Sequence, residues 1–422
     1  MSEVKGRGTY MNVSRDRLSV IGKLIGIYRE ERRNNTQNGF TLKKFCEGIC
    51  SINTLKSIEA GGLSRSEDVY IELLGKLDLK FGEFPVIDEA LAKLSKEISQ
   101  AIEFYDRDRI GIYTNKFLKL LNELTDYVYY SDLKDIIERL KNYYENDSTI
   151  SENEIIHFTK VLSILPMEYK DLLRILLFTK LQQICCYDLE KYENVIELLN
   201  INESENVCIK MMMLHYYFVK GEYLTMNNLI NELEDIFNYH KNYVRLLDTY
   251  NYGLLMCSYI DKTKLSLYVN KIDELNIGYR LPIIKVAEVY ANIAATYHHN
   301  EEYESALKYY EKMFEYIDGD YLPKLILMAD CQNRLERPII LKKLTKVQLE
   351  QYSIEYRKMY KYFMLPDDIP AFVKENYIIK EIAPILRDKV FIKIFKFELK
   401  KLIEQTGHYK CIYLFDKYLP IS

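Results

Sequence analysis

The sequence predicts an all-α fold, and three observations support this prediction. Apolar residues recur at three-to-four spacing over long stretches, as they do on one face of an α-helix. Proline is rare, with nine in 422 residues, and beyond Pro85 it stands mostly between helical segments. A pattern that pairs two helices around a short turn recurs along the chain, which favours a stacked helical array.

Composition narrows the class of protein further. Hydrophobic residues make up 48% and charged residues 28%, which is ordinary for a globular protein. The longest apolar runs, such as residues 172 to 178, are far shorter than the roughly 20 residues of a membrane-spanning helix. The polar N-terminus has no signal-peptide core, and none of the eight cysteines forms a C-x-x-C pair. We therefore expect a cytoplasmic protein with reduced thiols, no cofactor and no membrane partner.

Four regions follow from the helical pattern and its interruptions. We expect a flexible arm at residues 1–15, a small helical domain at 16–82, a linker helix at 83–125 and a helical-repeat domain at 126–422. Within the small domain, short helices are predicted at about 17–33, 41–48, 52–59 and 67–77. The linker helix is predicted from an apolar stripe formed by Leu91, Leu94, Ile98, Ile102 and Tyr105.

The clearest repeat lies at residues 290 to 313, "YANIAATYHHNEEYESALKYYEKM". Its small residues would let two antiparallel helices approach closely, and its tyrosines would fill the space beside them. Weaker copies lie at 182–199, 214–233 and 398–419. The pattern is typical of tetratricopeptide-like hairpins, which stack into a right-handed superhelix. Its key positions are Tyr290, Ala294, Tyr297, Tyr303, Ala306 and Tyr310.

The stretch from 39 to 62, "GFTLKKFCEGICSINTLKSIEAGG", has the form of two short helices around a tight turn. Gly48 and Cys50 permit the turn, and Ser51 is placed to cap the second helix. Gly61 and Gly62 would end that helix with a left-handed cap. The apolar face is formed by Phe40, Phe45, Ile49, Leu55 and Ile58. This arrangement is that of a helix-turn-helix that presents its second helix to DNA, although an ordinary helical hairpin is the alternative.

The chemistry of the other side chains favours DNA. Lysines near the first helix can meet phosphates, while Asn can pair with adenine and Thr or Ile can touch a thymine methyl. Residues 1 to 82 carry 14 Lys and Arg against 10 Asp and Glu, whereas the remainder carries 44 against 52. The candidate DNA-binding residues are Thr41, Lys43, Lys44, Ser51, Ile52, Asn53, Thr54, Lys56 and Ser57.

Residues 18 to 80 resemble the Xre/Cro type of helix-turn-helix, through Phe40, Thr41, Phe45, Ile49, Ile58, Glu59 and Gly61. Followed by a tetratricopeptide-like array, the chain resembles the RRNPP regulators, and within them most closely the clostridial RstA-type regulators of sporulation and toxin production. The resemblance implies a homodimer that binds double-stranded operator DNA and is controlled by a short quorum-sensing peptide. It also implies a structural pair between Arg29 and Glu59. Two family residues that meet DNA are replaced by Leu42 and Ser57.

Asparagines on the array are candidates for binding a peptide backbone, because an amide side chain both donates and accepts hydrogen bonds. Asn292 precedes Ala294 by two residues, at a position that faces the inner surface in such repeats, and Asn251 precedes Gly253 in the same way. His298 lies on the same helix as Asn292 and is the third candidate. It has no i, i+4 partner of the kind a metal site prefers, so no metal is expected.

Catalysis finds no support, since the sequence has no G-x-S-x-G, P-loop or H-E-x-x-H motif. Two hypotheses remain from different classes. The first is a peptide-responsive DNA-binding regulator. The second is a protein-interaction scaffold whose N-terminal domain has lost its DNA role, and Leu42 and Ser57 are its support.

Overall fold

The computed structural model describes residues 13–36, 39–146, 148, 150–185, 189–317, 321–366 and 368–420. Within these residues the chain forms 22 α-helices and no β-strand, which confirms the all-α class. Most of the predicted N-terminal arm, at 1–12, lies outside the described residues, as do Gln37, Asn38 and Cys186. Six cysteines are described as free thiols, and four of these, Cys46, Cys208, Cys257 and Cys331, are buried.

The chain divides into two compact units, the first ending at Arg245 and the second beginning at Leu246. The helices that lie wholly in the first unit are α1 (Arg15–Thr36), α2 (Leu42–Cys46), α3 (Ile52–Glu59), α4 (Asp68–Gly75), α5 (Pro85–Glu103), α6 (Arg107–Leu121), α7 (Val128–Asn146), α8 (Glu152–Leu162), α9 (Met167–Cys185), α10 (Leu189–Leu199), α11 (Val207–Lys220) and α12 (Tyr223–Tyr239).

Helix α1 is the support on which α3 rests. Two glycines one helical turn apart on α1 allow the close approach. A Cβ added at Gly22 would lie 2.4 Å from the carbonyl oxygen of Ile58, and one added at Gly26 would lie 3.1 Å from the Cβ of Glu59. Leu55 and Ile58 of α3 are fully buried in this contact. The close approach of α3 to α1 therefore depends on the absence of side chains at these two positions.

The single linker helix expected over residues 83 to 125 is wrong, because the structure has two helices there, α5 and α6. The break falls between residues 103 and 107, where Tyr105 adopts φ +52°. A non-glycine residue in the left-handed region cannot continue a helix. Asp106 then caps α6 by accepting a hydrogen bond from the backbone N–H of Arg109 at 3.0 Å. The sequence contained this capping residue directly after the last position of the predicted apolar stripe.

Helix α1 also contacts α7 and α8 through a buried polar cluster. The imidazole of His157 lies between two carboxylates, 3.1 Å from Glu31 and 2.9 Å from Asp132. Tyr28 donates a hydrogen bond to Asp132 at 3.1 Å. The two carboxylates raise the pKa of His157 to about 10 against the opposing effect of burial, so the imidazole is a cation at neutral pH.

Buried arginines cap two helix C-termini in the first unit. Arg174 is only 1% exposed and donates to the carbonyl oxygens of Leu199 at 3.0 Å and Asn200 at 3.1 Å, at the end of α10. Arg245 donates to the carbonyl oxygens of Ile102 at 2.5 Å and Glu103 at 2.9 Å, at the end of α5. Cations placed there add hydrogen bonds to carbonyl groups at helix C-termini, where the helix dipole favours positive charge.

The remaining helices are α13 (Tyr243–Ile260), α14 (Leu265–Gly278), α15 (Ile283–His299), α16 (Tyr303–Tyr316), α17 (Leu322–Arg334), α18 (Lys346–Glu350), α19 (Ile354–Phe363), α20 (Ala371–Tyr377), α21 (Lys389–Thr406) and α22 (Lys410–Tyr418). Helix α15 packs on α16, and both contact α17. Ala294 and Ala306, the predicted small residues, are fully buried. Gly253 serves the same purpose on α13, since a Cβ there would lie 2.3 Å from the ring of Tyr268 on α14.

Candidate functional site

The stretch from 41 to 60 forms two short helices, α2 and α3, each with a side-chain cap. Thr41 accepts a hydrogen bond from the backbone N–H of Lys44 at 3.5 Å, and Ser51 accepts one from Thr54 at 3.1 Å. Gly48, in the turn between them, has φ +81°, a conformation that favours glycine. The cap at Ser51 and the role of Gly48 are as predicted.

The C-terminus of α3 uses its two glycines for different reasons. Gly61 has φ +90° and donates to the carbonyl of Ile58 at 2.8 Å, which is the left-handed cap that was predicted. Gly62 donates to the carbonyl of Ser57 at 2.7 Å but does not adopt a positive φ. A Cβ at Gly62 would lie 2.4 Å from the hydroxyl oxygen of Ser57, so glycine provides space there rather than conformational freedom.

A lysine that sequence reasoning missed holds the end of α2. The ammonium of Lys76 donates to the carbonyl oxygens of Phe45 at 2.8 Å, Glu47 at 3.0 Å and Lys44 at 3.4 Å. A cation at a helix C-terminus is favoured by the helix dipole. Lys76 follows α4, about 30 residues away in sequence, so local spacing carried no signal for this contact.

Arg29 and Glu59 form the expected pair behind α3. The Arg29 side chain donates from Nε to Glu59 at 2.5 Å and from Nη2 at 2.8 Å, and from Nη1 to the carbonyl of Phe40 at 3.3 Å. Arg29 is only 3% exposed. A bidentate pair of this kind fixes the angle between two helices as well as their separation. Arg29 is thus buried as a structural residue.

Most of the candidate DNA-binding side chains lie on the open side of α2 and α3. Ile52 is 39% exposed, beside the exposed Asn53. Thr41 and Thr54 are half-buried, and the Thr54 hydroxyl lies 2.8 Å from that of Ser51. Together the exposed candidates form a polar and basic surface. They are Lys43, Lys44, Ser51, Ile52, Asn53, Lys56 and Ser57.

The two positions that depart from the family pattern have different surroundings. Leu42 is half-buried and packs against the N-terminal core, so its side chain contributes to stability. Ser57 is exposed on α3.

Two of the three peptide-binding candidates meet in the second unit. The Asn292 amide donates to the Asn251 amide oxygen at 3.2 Å, across the contact between α15 and α13. Both side chains are half-buried. Nearer the N-termini of the same two helices, Lys285 of α15 and Asp248 of α13 form an ion pair of 3.2 Å. Since both pairs advance in the same direction along the two helices, α13 and α15 run parallel and share a polar stripe.

The imidazole of His298, the third candidate, is paired with a carboxylate on α17. Its Nε2 lies 2.8 Å from the carboxylate of Asp330, which also pairs with Arg334 at 3.2 Å. Asp330 is fully buried. His298 lines a cavity of about 160 Å³ together with Tyr303. A peptide that used His298 would therefore meet an imidazole already oriented by Asp330.

Among the residues that the structure describes, no group of three His, Cys, Asp or Glu side chains could hold a metal ion. No helix in the same part of the chain is long and apolar enough to cross a bilayer. Comparison with known proteins found no matching family model, curated protein or solved structure.

Proposed function

We propose that this chain is a cytoplasmic transcription regulator that binds operator DNA as a homodimer through α2 and α3 and responds to a short peptide bound on the helical array. The observation that carries the proposal is the surface of α3. Its apolar residues, Leu55 and Ile58, are buried against α1, while Asn53, Lys56 and Ser57 are exposed on the opposite side. That division is what a recognition helix requires.

The rigidity of the frame supports the DNA part of the proposal. Reading base edges requires that a helix be held at a defined position and angle. Here the close approach at Gly22 sets the separation of α1 and α3, and the bidentate Arg29 pair sets their angle. The exposed Ile52 beside Asn53 could contact a thymine methyl.

The peptide part is supported by the polar stripe of α13 and α15. Side-chain amides that project from parallel helices can bond to the backbone of an extended peptide. Asn251 and Asn292 satisfy each other at 3.2 Å, which leaves each amide with further donor and acceptor capacity. Binding of a peptide there would exchange an internal hydrogen bond for new ones at little cost.

A second function has one observation in its favour. Leu42 packs into the N-terminal core instead of offering a polar group to DNA. A protein-interaction scaffold with a vestigial DNA-binding domain would tolerate such a change. This alternative predicts a stoichiometric protein partner in a pull-down and no effect of substitutions on α3.

DNA binding is tested by fluorescence anisotropy of the full chain with the region upstream of its own gene, measured over a range of salt concentrations. We expect Lys56→Ala to reduce the slope of log affinity against log salt by about 0.9. Lys93→Ala, which removes an equally exposed lysine from α5, is the matched control and should leave the slope unchanged. Salt-independent or absent binding by the wild type would refute the proposal.

Base recognition and peptide response need separate measurements. Asn53→Ala should cost about 1–3 kcal/mol against one base pair of the preferred site, measured with single-base variants of the DNA. A small-peptide extract, or a synthetic peptide encoded beside the gene, should shift DNA affinity for the wild type. Asn292→Ala should lose that shift and keep DNA binding. If peptide has no effect on any variant, the regulatory half of the proposal fails while the DNA half stands.

A further inference from the structure

The second unit contains a cavity of about 550 Å³ that none of the candidate DNA-binding or peptide-binding residues lines. Its walls come from α19, α20 and α21, from the end of α17, and from residues 339–341 between α17 and α18. Small-molecule sites in proteins are typically about 300–1,000 Å³. The inference drawn from this cavity goes beyond the proposed function and stands or falls independently of it.

The extended stretch on one side of the cavity is fixed in place. Gln332 accepts a hydrogen bond from the backbone N–H of Ile340 at 3.0 Å and donates to its carbonyl at 3.4 Å. Further along, the hydroxyl of Tyr360 donates to the carbonyl of Lys342 at 2.6 Å and accepts from the N–H of Leu344 at 3.2 Å. Side chains thus hold the backbone of this stretch at Ile340 and again at Lys342 and Leu344. The wall is formed before any ligand arrives, which lowers the entropic cost of binding.

The floor of the cavity is a network around a buried carboxyl group. Glu398 is 6% exposed and accepts hydrogen bonds from the Asn333 amide and, at 3.0 Å, from the Tyr362 hydroxyl. Lys401 donates to the amide oxygen of Asn333 at 2.7 Å. Burial raises the pKa of Glu398 to about 7, and the nearby Asp330 acts in the same direction. Below neutral pH this carboxyl group is therefore mostly protonated and presents little negative charge to the cavity.

The charged groups of the lining are mostly cationic. Lys343, Lys374 and Lys401 line the cavity, and Glu398 is its single carboxyl group among the described residues. Neither Lys343 nor Lys374 has a carboxylate partner in the part of the chain that the structure describes. Lys374 is half-buried at the edge of an apolar surface. An anionic ligand would provide a partner for these cations.

Apolar side chains provide the rest of the surface. Phe363 and Leu402 are buried in the unit and line the cavity, and Ile340 lines it while remaining exposed. A ligand that carried charge alone would leave these side chains without a partner. The combination of a cationic region with an apolar wall is typical of sites that bind amphiphilic anions.

We propose that this cavity binds a small molecule in which a carboxylate is joined to an apolar body. The carboxylate meets the ammonium groups of Lys374 and Lys401, and the apolar body lies against Phe363 and Leu402. Two sources have this chemistry: a free carboxylic acid with a short hydrocarbon chain, and the C-terminal residue of a short peptide with an apolar side chain.

Isothermal titration calorimetry on the full chain tests the proposal with four probes. Octanoate represents the free acid, and N-acetyl-leucine represents a peptide C-terminus. Octanamide and N-acetyl-leucinamide have the same shapes without the charge. We expect saturable binding of one equivalent of at least one acid, with its amide at least tenfold weaker. The acid that binds more tightly identifies the source.

Variants locate the binding to this cavity. Lys374→Ala should weaken the preferred acid about tenfold or more, because it removes one charge-assisted contact. Lys400→Ala is the matched control, since Lys400 is an exposed neighbour of Lys401 on α21 that does not line the cavity. Circular dichroism of both variants verifies that they are folded. The proposal is overturned if neither acid binds saturably, if the amides bind as tightly as the acids, or if the two variants behave alike.

Discussion

Removal of the Glu59 carboxylate is expected to weaken the packing of α3 on α1 by about 3 kcal/mol. In Glu59→Ala, the buried Arg29 loses two charge-assisted hydrogen bonds, of 2.5 and 2.8 Å, each of which contributes about 1.5–3 kcal/mol. It keeps the Phe40 carbonyl at 3.3 Å and a more distant carboxylate, that of Glu30 at 3.8 Å, whose side chain is 59% exposed. These remaining partners place the cost near the lower end of the roughly 3–5 kcal/mol typical of a broken buried pair.

Hydrogen exchange of the full chain, read by mass spectrometry, measures this cost locally. A loss of about 3 kcal/mol makes exchange more than a hundredfold faster in peptides from α1 and α3. The control is Asp126→Ala, which removes a 2.7 Å pair with Lys80 in which both side chains are 59% exposed. That substitution should cost about 0–1 kcal/mol. If exchange in Glu59→Ala accelerates less than fivefold, the stabilising role assigned to the buried pair is refuted. Partial recovery in a double variant with Arg29→Met would support it.

Three further predictions concern the packing of the first unit. Gly22→Ala should lower the local stability of α1 and α3 by about 1–3 kcal/mol, measured by the same exchange assay, because the new Cβ would lie 2.4 Å from a backbone oxygen. The control Gly75→Ala, which has open space around it, should be neutral or stabilising. Folding raises the pKa of His157 to about 10, so the stability that its charge contributes should be full below about pH 6.5 and lost as pH rises towards about 10. In His157→Gln, thermal denaturation should lose this alkaline dependence. An unchanged profile would contradict the assignment. Arg174→Ala should lower the free energy of unfolding by roughly 3–5 kcal/mol, measured by chemical denaturation. The control Arg337→Ala, at a side chain that is 48% exposed, should lower it by about 0–1 kcal/mol. Similar losses in the two variants would contradict the capping role.

Local sequence predicted the parts of the candidate DNA surface that depend on neighbours in the chain. Ser51 caps α3 through a residue only three positions away. The turn at Gly48 requires only that Gly48 itself can adopt a positive φ. The inward positions of Leu55 and Ile58 follow from helical periodicity. These features could be predicted because each is decided within one or two turns of helix.

The prediction of a single linker helix was wrong because it rested on local periodicity alone. The predicted apolar stripe ended at Tyr105, and the expected helix was extended beyond it although Asp106 was available as a cap. The chain breaks at Tyr105, and Arg245, far along the chain, caps the carbonyls that the break exposes. Periodicity reports which residues are buried and is insensitive to a break that preserves the apolar face.

The sequence by itself determined the all-helical class, the capped pair of helices at 41 to 60, and the close approach of α15 and α16 through Ala294 and Ala306. Only the tertiary structure decided which groups surround each buried carboxylate. It placed Asp330 against His298, 32 positions apart, and Asp132 against His157, 25 positions apart. It also brought three lysines and one buried carboxyl group to a single cavity. Caps and periodicity arise from short-range geometry, whereas the partner of a buried charge depends on how distant helices pack, and spacing along the chain carries no record of it.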